Sequence, residues 1–323
     1  MFENTRGLLM GMLVASVTGS TALAKETEDT VAAQIDPRLN AWEHATIAQV
    51  MSNLDPEDRE NVIYVDEHGG VFTNKPELKQ GVVFSPAPDV AASKRFEAGT
   101  SVSKALAAPS CTSTTGPYRR VYSNASYSWL STYVHLPGTT AEIKEYNVNG
   151  SGDTAYVYSG GWGANGDVVD AGFQHSPTYD NWSAIITVNG NPLSYSPRFL
   201  SNQDVNLKFY VPSNGQVALS VTGYDTTGTK TTLTQVRAAA GFSSSGGNIL
   251  KRVTSIGQSV QGMYTGSYVK NVHWYNSYIG TSSTSNHAWL AADTGGYCSY
   301  PDSTKVQVNF VNAGEETDNI VLN

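Results

Sequence analysis

Cysteine is nearly missing from this chain of 323 residues, which holds two, Cys111 and Cys298. They lie far apart, nothing like CxxC is present, and a redox or metal pair has no support. Charge is also scarce. Asp, Glu, Lys and Arg make up 15% of the residues, against ~25% in a typical soluble chain. The balance is acidic, with 20 Lys and Arg against 28 Asp and Glu and a net charge of -8. Nucleic acid requires a basic face to neutralise phosphates, so it is excluded as a partner. Anionic membranes and acidic polysaccharides are disfavoured on the same ground. HExxH, EF-hand and GxSxG patterns are absent. No fixed-length repeat occurs, which weakens a propeller or solenoid. No segment is apolar enough for a membrane-spanning helix.

What is present begins with an export pattern. Arg6 precedes a short apolar run over 7–15, and Ala22-Leu23-Ala24 supplies a small-x-small cleavage pattern. Residues 1–24 therefore read as a signal peptide, and the chain is expected to be secreted and extracellular. In an oxidising compartment Cys111 and Cys298 are expected to form a disulfide. Residues 25–105 carry 14 of the 28 acidic side chains. Within 25–84 the sequence predicts a helix over 35–51, with Leu39, Trp42, Ile47 and Val50 at roughly helical spacing and Pro37 in its first turn. A hairpin follows, strands 62–65 and 71–73 around a turn at 66–70. Residues 85–110, rich in Pro, Ala and Ser, read as a linker. The acidic region is either a propeptide or a docking module, or else an appendage covering an edge of the main domain. The last is favoured, since Lys94-Arg95 is its single processing candidate.

From residue 111 to 323 strand patterns recur every ten or so residues. Asn-Gly turns at 149–150, 165–166, 189–190 and 214–215 lie between them, the strongest short hairpin signal. The expected fold is all-β: an antiparallel two-sheet β-sandwich of jelly-roll or concanavalin-like type with a small N-terminal α+β extension. Its concave sheet is the default binding surface.

The densest group of chemistry-bearing residues lies at 160–182. Strand alternation puts Val168, Asp170, Gly172 and Gln174 on one face. Trp162, Asp170, Gln174, His175, Tyr179 and Trp182 are the candidate ligand-binding residues: a polar row beside aromatic rings suits a sugar. The competing reading is structural, since buried Asp and Gln also satisfy backbone groups and Trp also fills cores. Gly161-Trp162-Gly163, 170–174 and 179–182, with the 61–77 hairpin region, resemble secreted bacterial proteins of the YrpD type. The resemblance implies an extracellular concanavalin-like sandwich and brings no established activity.

Catalytic readings are weaker. Glycosidases need two carboxylates converging on one bond, yet Glu142 and Glu145, like Asp167 and Asp170, are three apart and point to opposite faces of a regular strand. A lyase would draw on His135, His175 or His273 with tyrosines and the basic Lys251-Arg252. A faint likeness to glutamic peptidases around 155–182 fails, because Asp170 stands where the glutamine should be. Asn165 and Asp167 offer oxygens to a Ca²⁺, but an ordinary hairpin turn explains that loop better. The late aromatics divide by alternation, His273 and Tyr275 on one face and Trp274 on the other. The leading expectation is a protein that binds a glycan or cell-envelope component. A polysaccharide hydrolase or lyase on the same sandwich is the alternative, and a structural envelope protein the second. Catalytic residues, cofactor and oligomeric state are not assigned.

Overall fold

The computed structural model describes residues 31–84, 109–139, 141–148, 151–258 and 262–323. The signal-peptide residues, nearly all of the linker and the 149–150 turn lie outside them. The architecture is the expected one: two antiparallel-rich sheets face each other, with a small N-terminal helical part.

The smaller sheet has seven strands. Their order is β11 (Asn191–Leu200), β10 (Asn181–Val188), β9 (Val168–Ser176), β8 (Thr154–Trp162), β15 (Ile249–Gly257), β3 (Tyr118–Ser123) and β18 (Thr294–Tyr300). The larger sheet runs β19 (Val306–Asn312), β20 (Glu315–Val321), β16 (Tyr268–Ser282), β4 (Trp129–Leu136), β12 (Gln203–Tyr210), β13 (Gln216–Tyr224), β14 (Lys230–Ala238), β1 (Val62–Val65) and β2 (Val71–Thr73). Two short strands, β5 (Ile143–Lys144) and β17 (Ser285–Ala288), also pair with β16, and β6 (Asn147–Val148) pairs with β7 (Ser151–Gly152) in a ladder of their own.

The Asn-Gly pairs at 165–166, 189–190 and 214–215 lie between paired strands, as expected. Asn189 and Gly190 both take positive φ (50° and 79°) between β10 and β11, the left-handed pair that a two-residue hairpin turn requires. Alternate residues then point inward. Val157, Phe173, Trp182, Ile186 and Leu250 of the smaller sheet meet Leu130, Leu207, Phe209, Leu219 and Trp274 of the larger in one core. Trp274 is buried while His273 and Tyr275 stack outward at 4.9 Å, as alternation requires.

Two arginines and two acids interrupt that core. Arg119 forks onto Glu316 at 3.0 and 2.6 Å, and Arg252 reaches the same carboxylate at 3.6 Å. Asp318, two residues on, accepts from Thr254 Oγ1 at 2.6 Å.

The N-terminal part differs from expectation in detail. Its helix spans Ala41–Ser52, and Asn40 caps it by accepting from the Trp42 and Glu43 amides. Pro37 therefore precedes the helix. Ile47 and Met51 form its buried face, whereas Trp42 is 66% exposed and meets Phe72 edge to face. The hairpin forms, and β1 adds in parallel to β14, so this part extends an edge of the larger sheet. The expected Cys111–Cys298 disulfide is present, with its Cα atoms 5.6 Å apart.

Candidate functional site

The seven-stranded sheet has one face in the core and one turned away from it. Registers fix the composition of that outer face, because residues directly opposite in antiparallel pairs share a side. One row across the strands reads Thr187, Asp170, Gly160, Lys251 and Tyr122. The next reads Ile185, Gly172, Tyr158, Val253 and Arg120, and a third reads Ser183, Gln174, Tyr156, Ser255 and Tyr118. Trp162 lies on the other side of the first row, opposite Val168 and Ile249.

Gly160 organises the centre. It sits on β8 between Asp170 on β9 and Lys251 on β15, and with no side chain it leaves a trough across the strand. Its φ of 137° suits glycine, and a Cβ there would collide with the Val169 carbonyl. Lys251 lies along this trough. Its Nζ ends 2.5 Å from Asp170 Oδ1, outside hydrogen-bond alignment, with the Trp162 ring centroid 4.3 Å away and that of Tyr158 5.7 Å away. The Arg120 guanidinium stacks near Tyr118 at 4.9 Å and Trp162 at 5.3 Å. Two cations, one carboxylate and a wall of aromatic rings thus share one face.

Several polar atoms on this face have no hydrogen-bond partner among the described residues. Gln174 Oε1, Ser183 Oγ and Thr187 Oγ1 are three of them, beside the ion-paired Asp170 Oδ1 and Lys251 Nζ. All three belong to β9 and β10, and Gln174 stands directly opposite Ser183. The row is deeply set: Asp170 is 2% exposed, Gln174 1% and Lys251 0%.

The six candidate residues split. Trp162, Asp170 and Gln174 come together on the outer face. His175 and Trp182 do not. They are opposite each other on the inner side of β9 and β10, because His175 follows Gln174 by one residue and so faces the other way. Trp182 is core, its Nε1 donating to the Pro137 carbonyl at 3.0 Å. His175 is held between Glu145 at 3.0 Å and Asp180 at 3.2 Å, and Asp180 also accepts from Thr139 and Ser201. That cluster clasps loops at one end of the sandwich. Tyr179 stands apart at a turn, 71% exposed. Sequence reasoning missed Arg120, Tyr158, Ser183 and Thr187, and gave Lys251 only to the lyase reading. Extending the β9 alternation to neighbouring strands was the signal that could have found them.

The catalytic alternatives gain little. Asp170 is the single carboxylate borne by the strands of this sheet, so a glycosidase pair has no second member there. Glu142 turns to His135 at 3.5 Å and Glu145 to His175, which separates that pair too. Asp167 takes the Asn189 amide and the Gly241 N–H at a turn, away from Asp170. Asn165 Oδ1 accepts from the Asp167 N–H at 3.3 Å. The three histidines of the lyase reading do not converge: His135 and His273 lie on the outer face of the larger sheet, His175 on the inner face of the smaller. Lys251 and Arg252 also part, one outward and one into the core.

No family model and no curated protein matches the chain. Among solved structures it is similar to scytalido-glutamic peptidase bound to a transition-state analogue inhibitor. The identity is 8% and the TM-score 0.42, over 65% of this chain and 100% of that one. SCP-B, a member of the eqolisin peptidases in complex with a tripeptide, gives 9% and 0.38 over 64% and 98%. A protein of unknown function from Shewanella oneidensis MR-1 gives 12% and 0.22 over 43% and 61%. Likenesses this low bring no activity to the chain.

Proposed function

We propose that the protein is exported and binds a glycan or another hydroxyl-rich component of the cell envelope on the outer face of its seven-stranded sheet. The observation that supports this reading is the set of buried polar atoms on β9 and β10 without a hydrogen-bond partner among the described residues, Gln174 Oε1, Ser183 Oγ and Thr187 Oγ1. Buried polar groups almost always find a partner, and a polyhydroxylated ligand supplies donors and acceptors to match. Trp162 adds an aromatic ring to the same face, and the Asp170–Lys251 pair places an acceptor beside a donor there. The disulfide supports export, since such bonds persist in oxidising compartments.

The depth of the row favours a second reading, a structural envelope protein in which Asp170 and Lys251 only satisfy each other. Glycan-array binding by the parent and by Asp170→Ala separates the two. Binding that the substitution abolishes supports the first reading. Binding that it leaves unchanged removes this face as the site, and an array on which the parent captures nothing leaves the structural reading. Product release from a polysaccharide panel would turn the first reading into a catalytic one.

A further inference from the structure

A cavity of about 340 Å³ lies on the opposite side of the molecule, where the N-terminal part meets the outer face of the larger sheet. Its lining includes Gln49, Asn53 and Leu54 from the end of the helix Ala41–Ser52 and the turn after it, Trp129, Lys208 and Tyr210 from β4 and β12, and Ser282 and Ser283 from the end of β16 and the turn that follows. Trp129 and Tyr210 are directly opposite in the β4–β12 register and so lie side by side. On its other flank Trp129 faces Gly280, which adds no side chain.

Charge in this cavity is already offset. Lys208 Nζ sits 2.6 Å from Asp55 and 3.5 Å from Asp58. The remaining polar groups are neutral, and several are unused. Trp129 Nε1, Tyr210 Oη, the Gln49 side-chain amide and Ser283 Oγ make no hydrogen bond among the described residues. Two adjacent rings with an indole N–H and a phenol at their edges, rimmed by an amide and a hydroxyl, complement a ring that is apolar on one face and hydroxylated at its perimeter. The volume is at the lower end of the ~300–1,000 Å³ range of small-ligand pockets.

We propose that this cavity is a binding site for a short neutral saccharide, one or two sugar rings stacked on Trp129 and Tyr210 and hydrogen-bonded by Gln49 and Ser283. The site is separate from the seven-stranded sheet and independent of the reading given for it. It needs the N-terminal part, because Gln49, Asn53 and Leu54 form one of its walls. That gives the acidic extension a role beyond covering a sheet edge.

Calorimetric titration of the full chain tests this, with cellobiose, maltose and N,N′-diacetylchitobiose as neutral probes and digalacturonate and chitosan dimer as charged ones. At least one neutral disaccharide should bind, Trp129→Ala should weaken it about tenfold or more, and Gln49→Leu should weaken it severalfold. Gln49 is on the helix surface, so its variant decides the matter where Trp129→Ala fails to fold. No neutral binding by the parent overturns the proposal. So does affinity unchanged in both variants when their circular dichroism matches the parent, or a charged probe that binds as tightly as the neutral ones. A loss on Asp170→Ala without a loss on Trp129→Ala would assign binding to the other sheet and overturn this site alone.

Discussion

Asp318 is an acid with too few partners. Glu316 occupies both Arg119 and Arg252, which leaves Asp318 with the Thr254 hydroxyl and a second oxygen unbonded. Burial first, and repulsion from Glu316 second, push its carboxyl up to about 7 from an ordinary value of 3.8. The folded state therefore holds a proton that the unfolded chain releases above about pH 4. Its stabilising contribution is full below that pH and is lost as pH rises through 7. Asp318→Asn should remove this dependence, so that denaturant unfolding at pH 5 and pH 7.5 differs less in the variant than in the parent, by a shift on the order of 1–3 kcal/mol. The Asp170–Lys251 pair makes a different prediction, because each member is the other's charge partner. Asp170→Asn and Lys251→Met should each cost about 3 kcal/mol, since either leaves a buried group uncompensated. The double variant should cost less than the sum by at least about 1 kcal/mol, read from a double-mutant cycle in urea. Strict additivity would mean that the two do not interact.

Elements differ in how much of them could be read from sequence. β8, β9 and β10 were legible because apolar alternation and Asn-Gly turns are local signals. Asp170 and Gln174 were brought to one face by the same alternation, which should also have excluded His175 at the odd position, whereas Trp162 joins them through the β8–β9 register. β11, β18 and β20 were not legible. β11 carries Pro192 and Pro197, tolerated because it is an edge strand. β18 has two adjacent glycines, and β20 begins with an acidic run whose arginines come from β3 and β15. Lys251 was hidden in the same way, its carboxylate standing two strands away across Gly160. The N-terminal hairpin was legible in its turn but not in the tie that holds it to the segment before it, which runs through Asn74. That buried side chain accepts from the Val62 N–H at 2.9 Å and donates to the Arg59 and Glu60 carbonyls, both at 3.1 Å. Asn74→Ala leaves those backbone groups unpaired, at a cost on the order of 1–3 kcal/mol. Hydrogen exchange should then quicken over 62–73 while β8 to β10 keep their protection. Equal loss in both regions would show that hairpin and sandwich open as one unit.

At the scale of the whole molecule, the disulfide joins two segments 187 residues apart. Closing a loop of that length stabilises by up to ~5 kcal/mol in the chain-entropy model. The bond also fixes the chain just before β3 against β18, at the border of the candidate face. Arg120 Nη2 donates to the Ser110 carbonyl at 2.6 Å, and the Tyr118 hydroxyl reaches the Ser110 and Thr112 carbonyls at 3.4 Å. Arg120 in turn packs on Trp162. Loss of the disulfide should therefore act twice: it frees the unfolded chain, and it releases the carbonyl that holds Arg120 over the rings. Cys111→Ser with Cys298→Ser should unfold at lower temperature than the parent, and the parent in reductant should match the double variant. Tryptophan fluorescence of the folded double variant should also shift, as Trp162 loses a positioned cation. A lower midpoint with an unchanged spectrum would confine the bond to its effect on the unfolded chain. Both changes together would make it a support for the face on which Asp170, Lys251 and Gln174 converge.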